Sequence, residues 1–205
     1  LLVSSAASDV YKRQLLHDIG KPKTKRYNKK KGWSFHGHEY VGSKMVLKIF
    51  KRLKLPLNHK LAYVKKLVLL SSRPVILSSD QITDSAIRRL IFDAGDDIDD
   101  LMTLCEADIT TKNAKLEKKY LNNFKVVREK IKDVEERDKI RNFQPPISGK
   151  YIMDYFGIKP CKEIGLIKER IKEAILNGDI NNDVIQAKEL MMIVGEGLGL
   201  KKYEK

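Results

Sequence analysis

The stretch LLHDIGKPKTKRY, Leu15 to Tyr27, sets a leucine pair, a His-Asp doublet, a glycine turn and a run of bases side by side. The leucines read as buried and Gly20 as a turn, so His17 and Asp18 stand at a helix end. A nitrogen donor next to a carboxylate there suits a divalent or transition cation that activates water against a phosphate. A doublet alone is a weak signal, and its surroundings decide what it means.

Outward from it, apolar residues recur at spacings of three and four, and no strand-like alternation persists. The pattern predicts an all-α protein. Helices are expected over about Val41–Leu53, Leu61–Leu70, Asp80–Phe92, Ile98–Thr111, Gly149–Phe156, Cys161–Asn177 and Asn182–Gly195. Pro56, Arg73-Pro74, Gly95 and Pro145-Pro146 are expected to interrupt them, since proline removes a donor and glycine admits positive φ. Asp80 and Asp97 are expected N-caps.

Between these lies KNAKLEKKYLNNFKVVREKIKDVEERDKIR, Lys112 to Arg141, charged on most faces with a thin stripe of Leu116, Tyr120, Phe124, Val127, Ile131 and Val134. It reads as one long connector helix. The rival is a coiled coil, limited to a few heptads and interrupted by Asn122-Asn123.

The charge is concentrated. Between Lys21 and Lys66 there are fifteen Lys or Arg against one acid, Glu39, and this segment carries the whole net charge of +14. From Leu67 onward twenty-four bases meet twenty-four acids. So local a positive field favours a polyanion through counterion release, and nucleic acid is the leading partner. A lysine-rich solvated surface is the plainer alternative, and the balanced remainder argues against it. Trp33, in the same segment, either stacks on an exposed base or fills the core.

Other classes are set aside. The apolar runs fall far short of the ~20 residues a membrane span needs. Cys105 and Cys161 are far apart with no CxxC spacing, which points to a reducing cytoplasm and away from disulfides or a zinc knuckle. LLVSSAASDVYKRQ has no signal-peptide pattern and no initiator Met. It resembles translated sequencing-adapter sequence, so residues 1–14 are expected to be non-native.

LLHDIGK resembles the core of the HD superfamily of metal-dependent phosphohydrolases in its HDIG form. The resemblance implies a metal held by an upstream His, the pair His17 and Asp18, and a distant Asp, for which Asp108 in CEAD is the best match. His38 in HGHEYVG matches a further family histidine. A next one is expected near Leu70, where this chain has Ser71 and Ser72, and hydroxyls replace imidazole poorly on a transition metal. The upstream His precedes what this sequence contains. His36 and His59 read as surface histidines, or, in the case of His36, as a phosphate contact.

Longer stretches narrow the resemblance. GWSFHGHEYVGSKMVLKIFKRLKLP and SRPVILSSDQITDSAIRRLIFDAGDDIDDLMTLCEADITTKN are similar to the tRNA nucleotidyltransferase and poly(A) polymerase family that builds or repairs the CCA end. ISGKYIMDYFGIKPCKEIGLIKERIKEAILNGDI matches that family's closing pattern, with Cys161 where Gly or Ser is usual. The resemblance implies an HD helical bundle over 15–111, a connector helix over 112–144 and a C-terminal tRNA-binding helical module over 145–205. It also implies transfer of CMP and AMP from CTP and ATP to tRNA, with Mg²⁺, by a catalytic head whose Gly-Gly turn and paired carboxylates do not occur before Leu15. These residues are therefore expected to hold tRNA and to add no nucleotide alone.

Lys21, Lys23, Lys25, Arg26, Lys29, Lys30 and Lys31 are the leading phosphate contacts. Lys162 and Lys168 are those of the tail, beside backbone N–H groups of the turn at Cys161-Lys162-Glu163. The alternative from another class is a phosphohydrolase acting on cyclic or terminal phosphates, with a divalent cation at His17, Asp18 and Asp108 plus an upstream His.

Overall fold

A computed structural model of the chain describes residues 14–30, 32–79 and 82–203. Lys31, Asp80 and residues 1–13 lie outside the described residues. Among the described residues the fold is all-α apart from one short hairpin. It divides into two compact units, one formed by residues up to Ile82 with Asp93–Glu129, the other by Thr83–Phe92 with the residues from Lys130 on.

In the first unit a single turn, α1 (Lys21–Thr24), leads into a hairpin of β1 (Arg26–Asn28) and β2 (Gly32–Ser34). The strands pair antiparallel, Arg26 with Ser34, Tyr27 with Trp33 and Asn28 with Gly32. Then come α2 (His38–Arg52), α3 (His59–Leu70) and α4 (Arg73–Ser79). Val46 and Phe50 of α2 and Val64 and Val68 of α3 are fully buried together, with Leu16, Leu55, Leu61 and Tyr63 packed against them. The side chain of Asn58 caps α3 by accepting from the Lys60 N–H.

The Arg73-Pro74 interruption separates two helices, because α4 starts at Arg73 and its first turn has no use for the N–H that Pro74 lacks. After α5 (Asp84–Ala94) and a 3₁₀ turn at Gly95–Asp97, α6 (Ile98–Ala107) buries Ile98, Leu101, Met102, Leu104 and Cys105. Asp97 does not cap α6 with its side chain; its carboxylate lies 2.6 Å from Lys66 Nζ, a charged donor that outcompetes a backbone N–H.

The long helix α7 (Ala114–Asp138) is capped by Asn113, whose Oδ1 accepts from the N–H groups of Lys115 and Leu116. Asn122-Asn123 does not break it. Phe124, Val127, Ile131 and Val134 are buried within the chain, so little of the stripe is left for a coiled-coil partner. Leu116 and Tyr120 stay exposed. The division between the units falls inside this helix, between Glu129 and Lys130.

The second unit carries α8 (Gly149–Phe156), α9 (Lys162–Asn177) and α10 (Val184–Gly197). Ser148 caps α8 and Asp183 caps α10 through side-chain oxygens, and Gly157 closes α8 at φ 63°. Its buried apolar side chains include Ile152, Phe156, Ile167, Ile171, Ile175 and Met191.

Candidate functional site

His17 and Asp18 follow the helical backbone at 14–16, in the turn that leads to α1. That turn lies against the start of α2, and the approach demands glycine. A β-carbon on Gly20 would sit 2.0 Å from the His38 carbonyl oxygen, and one on Gly42 would meet Val68 and Ile19 at 3.2 and 3.4 Å. The glycines of HDIG and of H-x-x-x-G are thus where one backbone passes the other. The contact sets His38 beside the doublet.

Asp108, just past the end of α6, completes the group. His17 Nε2 lies 3.1 Å from Asp108 Oδ1 and 3.6 Å from Asp18 Oδ2, and His38 Nε2 lies 3.5 Å from Asp18 Oδ1. With Lys21, Ser71, Ser72 and Cys105 they line a cavity of about 180 Å³. All four residues singled out as candidate ligands therefore face one space, although about ninety positions separate Asp18 from Asp108.

The imidazoles are oriented by backbone. His17 Nδ1 lies 2.7 Å from the Gln14 carbonyl and His38 Nδ1 3.0 Å from that of Phe35. A carbonyl only accepts, so each Nδ1 carries a hydrogen and each Nε2 is the nitrogen turned inward. The His17 ring is 13 % exposed, and its Nε2 has no hydrogen-bond partner. A lone pair facing a carboxylate is satisfied by a proton on that nitrogen or by a cation shared between them. Two imidazole nitrogens and two carboxylates are a fitting donor set for a divalent transition ion.

Among the described residues, no three His, Cys, Asp or Glu side chains stand as a finished cation cage. The Lys21 ammonium lies 2.5 Å from Asp18 Oδ2, so one of the carboxylate oxygens already meets a cation. Ser71, where the resemblance expects histidine, turns its hydroxyl to the Val68 carbonyl, 3.0 Å away. The Cys105 thiol donates to the Ser71 carbonyl. Burial, with the charges of Asp108 and Glu106, pushes that thiol up to about 12, so it stays protonated and offers neither thiolate ligand nor nucleophile.

Lys23, Lys25, Arg26, Lys29 and Lys30 are all exposed on or beside the hairpin, and His36 and His59 are exposed as expected. Trp33 is not core: it is 57 % exposed, and its partner Tyr27 is 63 % exposed. The pairing partner Tyr27 was not foreseen. Its signal was present in Tyr27 and Trp33 flanking the turn residues Asn28 and Gly32. In the second unit Lys162 and Lys168 are exposed. The N-terminal turn of α9 already has an anion of its own, since Glu163 accepts from its own backbone N–H and from Cys161, which holds its carboxyl below the ordinary range.

The chain matches the HD domain family over residues 6–111. It is 30 % identical over 169 residues to the A-adding tRNA nucleotidyltransferase of Deinococcus radiodurans, an alignment covering 81 % of this chain and 37 % of that protein. The chain thus spans little more than a third of that relative's length. No solved structure matches it.

Proposed function

The chain belongs to the HD-domain family, and from that premise we propose that it is the tRNA-holding part of a tRNA nucleotidyltransferase. The observation that carries this reading is the likeness to the A-adding enzyme, which runs far beyond the HD match and into the second unit. Charge supports it: the segment bearing the whole +14 places Lys23, Lys25, Arg26, Lys29 and Lys30 at the surface. Lys162 and Lys168 add phosphate contacts on α9.

In the complete polypeptide, transfer of AMP from ATP, or of CMP and AMP from CTP and ATP, falls to a Mg²⁺-dependent head. The relative's name favours AMP alone. We place the protein in the cytoplasm, beside the tRNA on which its relative acts. Among the described residues no helix is long and apolar enough to cross a membrane.

The test is tRNA affinity of the 205-residue chain against salt. Between 50 and 200 mM salt, six or more phosphate contacts predict a loss of about a thousandfold. A flat salt dependence overturns the reading. Incorporation by the complete polypeptide into tRNA ending before CCA and tRNA ending in CC separates full from A-only addition.

One observation favours a second reading, a phosphohydrolase: the buried Nε2 of His17, which has no hydrogen-bond partner and lies 3.1 Å from Asp108 Oδ1. A divalent ion held by His17, Asp18, His38 and Asp108 would act as a Lewis acid on a phosphate and its attacking water. His17 and His38 would hold such an ion through rings already oriented by Gln14 and Phe35. Metal content and phosphodiesterase activity of the protein and of His17→Ala decide it. Equal metal and equal activity in both remove this reading.

A further inference from the structure

The charge of Lys21–Lys66 explains attraction to a phosphate backbone and leaves the two exposed aromatics of the hairpin unexplained. Tyr27 and Trp33 are directly cross-strand partners and so project from the same face of the ribbon. Their ring centroids are 5.0 Å apart at an interplanar angle of 60°. More than half of each is exposed. Two adjacent aromatics bared on one face of an otherwise polar ribbon differ from the single apolar residues scattered over any surface.

The ribbon is held ready for use. At its tip the Asn28 side chain accepts from the Lys30 N–H at 2.8 Å, and Gly32 takes the positive φ of 75° that the turn requires. At its base the Thr24 hydroxyl donates to the Phe35 carbonyl at 3.3 Å. The electrostatics are one-sided, since the sequence from Ile19 to His38 contains no acid. Lys25 Nζ lies 4.1 Å from the centroid of the Trp33 ring. An ammonium over an exposed ring is weakly held, so a flat ligand can take that face while Lys25 turns to a neighbouring anion.

We propose that the β1–β2 hairpin is a stacking platform for an unpaired nucleobase of an RNA strand, with Trp33 and Tyr27 meeting the base and Lys25, Arg26, Lys29 and Lys30 holding the flanking phosphates. An aromatic face ringed by bases is the combination that tracks single-stranded nucleic acid. An acidic peptide would satisfy the cations and leave the rings bare. A bilayer surface would engage only two aromatic side chains, a small anchor. The inference rests on the RNA-binding reading above and adds to it a site for unpaired bases that charge alone does not supply.

Trp33 is the sole tryptophan of the chain, so its fluorescence reports this site without labelling. Titrating the 205-residue chain with a short oligoadenylate should quench that emission strongly. A blunt RNA duplex of equal length should bind through the cations with little quenching. By anisotropy of labelled RNA, Trp33→Ala should lose about tenfold in affinity for the single strand and stay within about twofold for the duplex. Trp33→Phe, which keeps a ring face, should retain most of the affinity.

Salt-sensitive binding of both RNAs with unchanged emission and no effect of Trp33→Ala overturns the stacking site while the RNA-binding reading stands. Loss in Trp33→Phe equal to that in Trp33→Ala also overturns it. Quenching by phosphatidylserine vesicles but not by oligoadenylate overturns it in favour of a membrane surface. No binding of any RNA, tRNA included, removes the RNA-binding reading and this inference together.

Discussion

Gly20 sits where the doublet's turn passes closest to α2, with the His38 carbonyl oxygen 2.0 Å from the position a β-carbon would occupy. The atom in the way is backbone, so it cannot rotate aside. Gly20→Ala should therefore cost about 1–3 kcal/mol, read as a lower urea midpoint. It should also move His38 away from Asp18, weakening any divalent-ion binding measured by calorimetry. An unchanged midpoint would mean that the turn and α2 separate freely. Lys21 gives a complementary test. Its ammonium competes with a metal for Asp18, and an exposed pair of this kind is worth about 0.2–1 kcal/mol. Lys21→Ala should tighten Mn²⁺ binding by up to about fivefold; weaker binding would show that the lysine supports the site instead of opposing the ion.

Among the elements, α5, α7 and α9 of the second unit are tied by ion pairs. Arg88 Nε meets Asp138 at 2.7 Å, Arg137 meets Asp84 at 2.6 Å and Asp138 at 2.8 Å, and Arg89 meets Glu173 at 2.6 Å. Hydrogen bonds from Arg137 and then Arg88 hold the Asp138 carboxyl below its ordinary value of 3.8. Lys130, followed by Arg137, does the same for Asp84. A carboxyl whose folded value is depressed contributes stability above the unfolded value and loses it as pH falls through the folded one. The second unit should therefore lose stability below about pH 4. In Asp138→Asn, thermal melts followed by circular dichroism should show a lower midpoint near neutrality and a shallower fall between about pH 4 and pH 2. An unaltered acid slope would remove Asp138 from this role.

For the whole molecule, the decisive quantity is where charge lies. The residues after Lys66 balance twenty-four bases against twenty-four acids, so Lys162 and Lys168 stand in a compensated field. Lys29 and Lys30 do not. Lys29→Glu with Lys30→Glu should lower tRNA affinity more than Lys162→Glu with Lys168→Glu, and should flatten the salt dependence by about two phosphate contacts. The reverse order would shift the RNA surface to the second unit.

The sequence by itself determined the helical class, most helix positions, the segment that holds the charge and the four residues that came to face one cavity. Periodicity, capping and charge are properties of neighbours along the chain, which is why α8 was legible to the residue and α7 nearly so. The separate helix that starts at Arg73, the short hairpin and the loss of Asp97 as a side-chain cap were not legible. Each follows from a partner distant in the chain, or from strands of three residues, too short to show alternation. Only the tertiary structure decided that Trp33 is outside, that Asp97 answers Lys66, that Lys21 holds Asp18 and that His17 Nε2 lies against Asp108. These outcomes depend on how closely remote backbones approach, and at the candidate site that closeness is set by two glycines, Gly20 and Gly42.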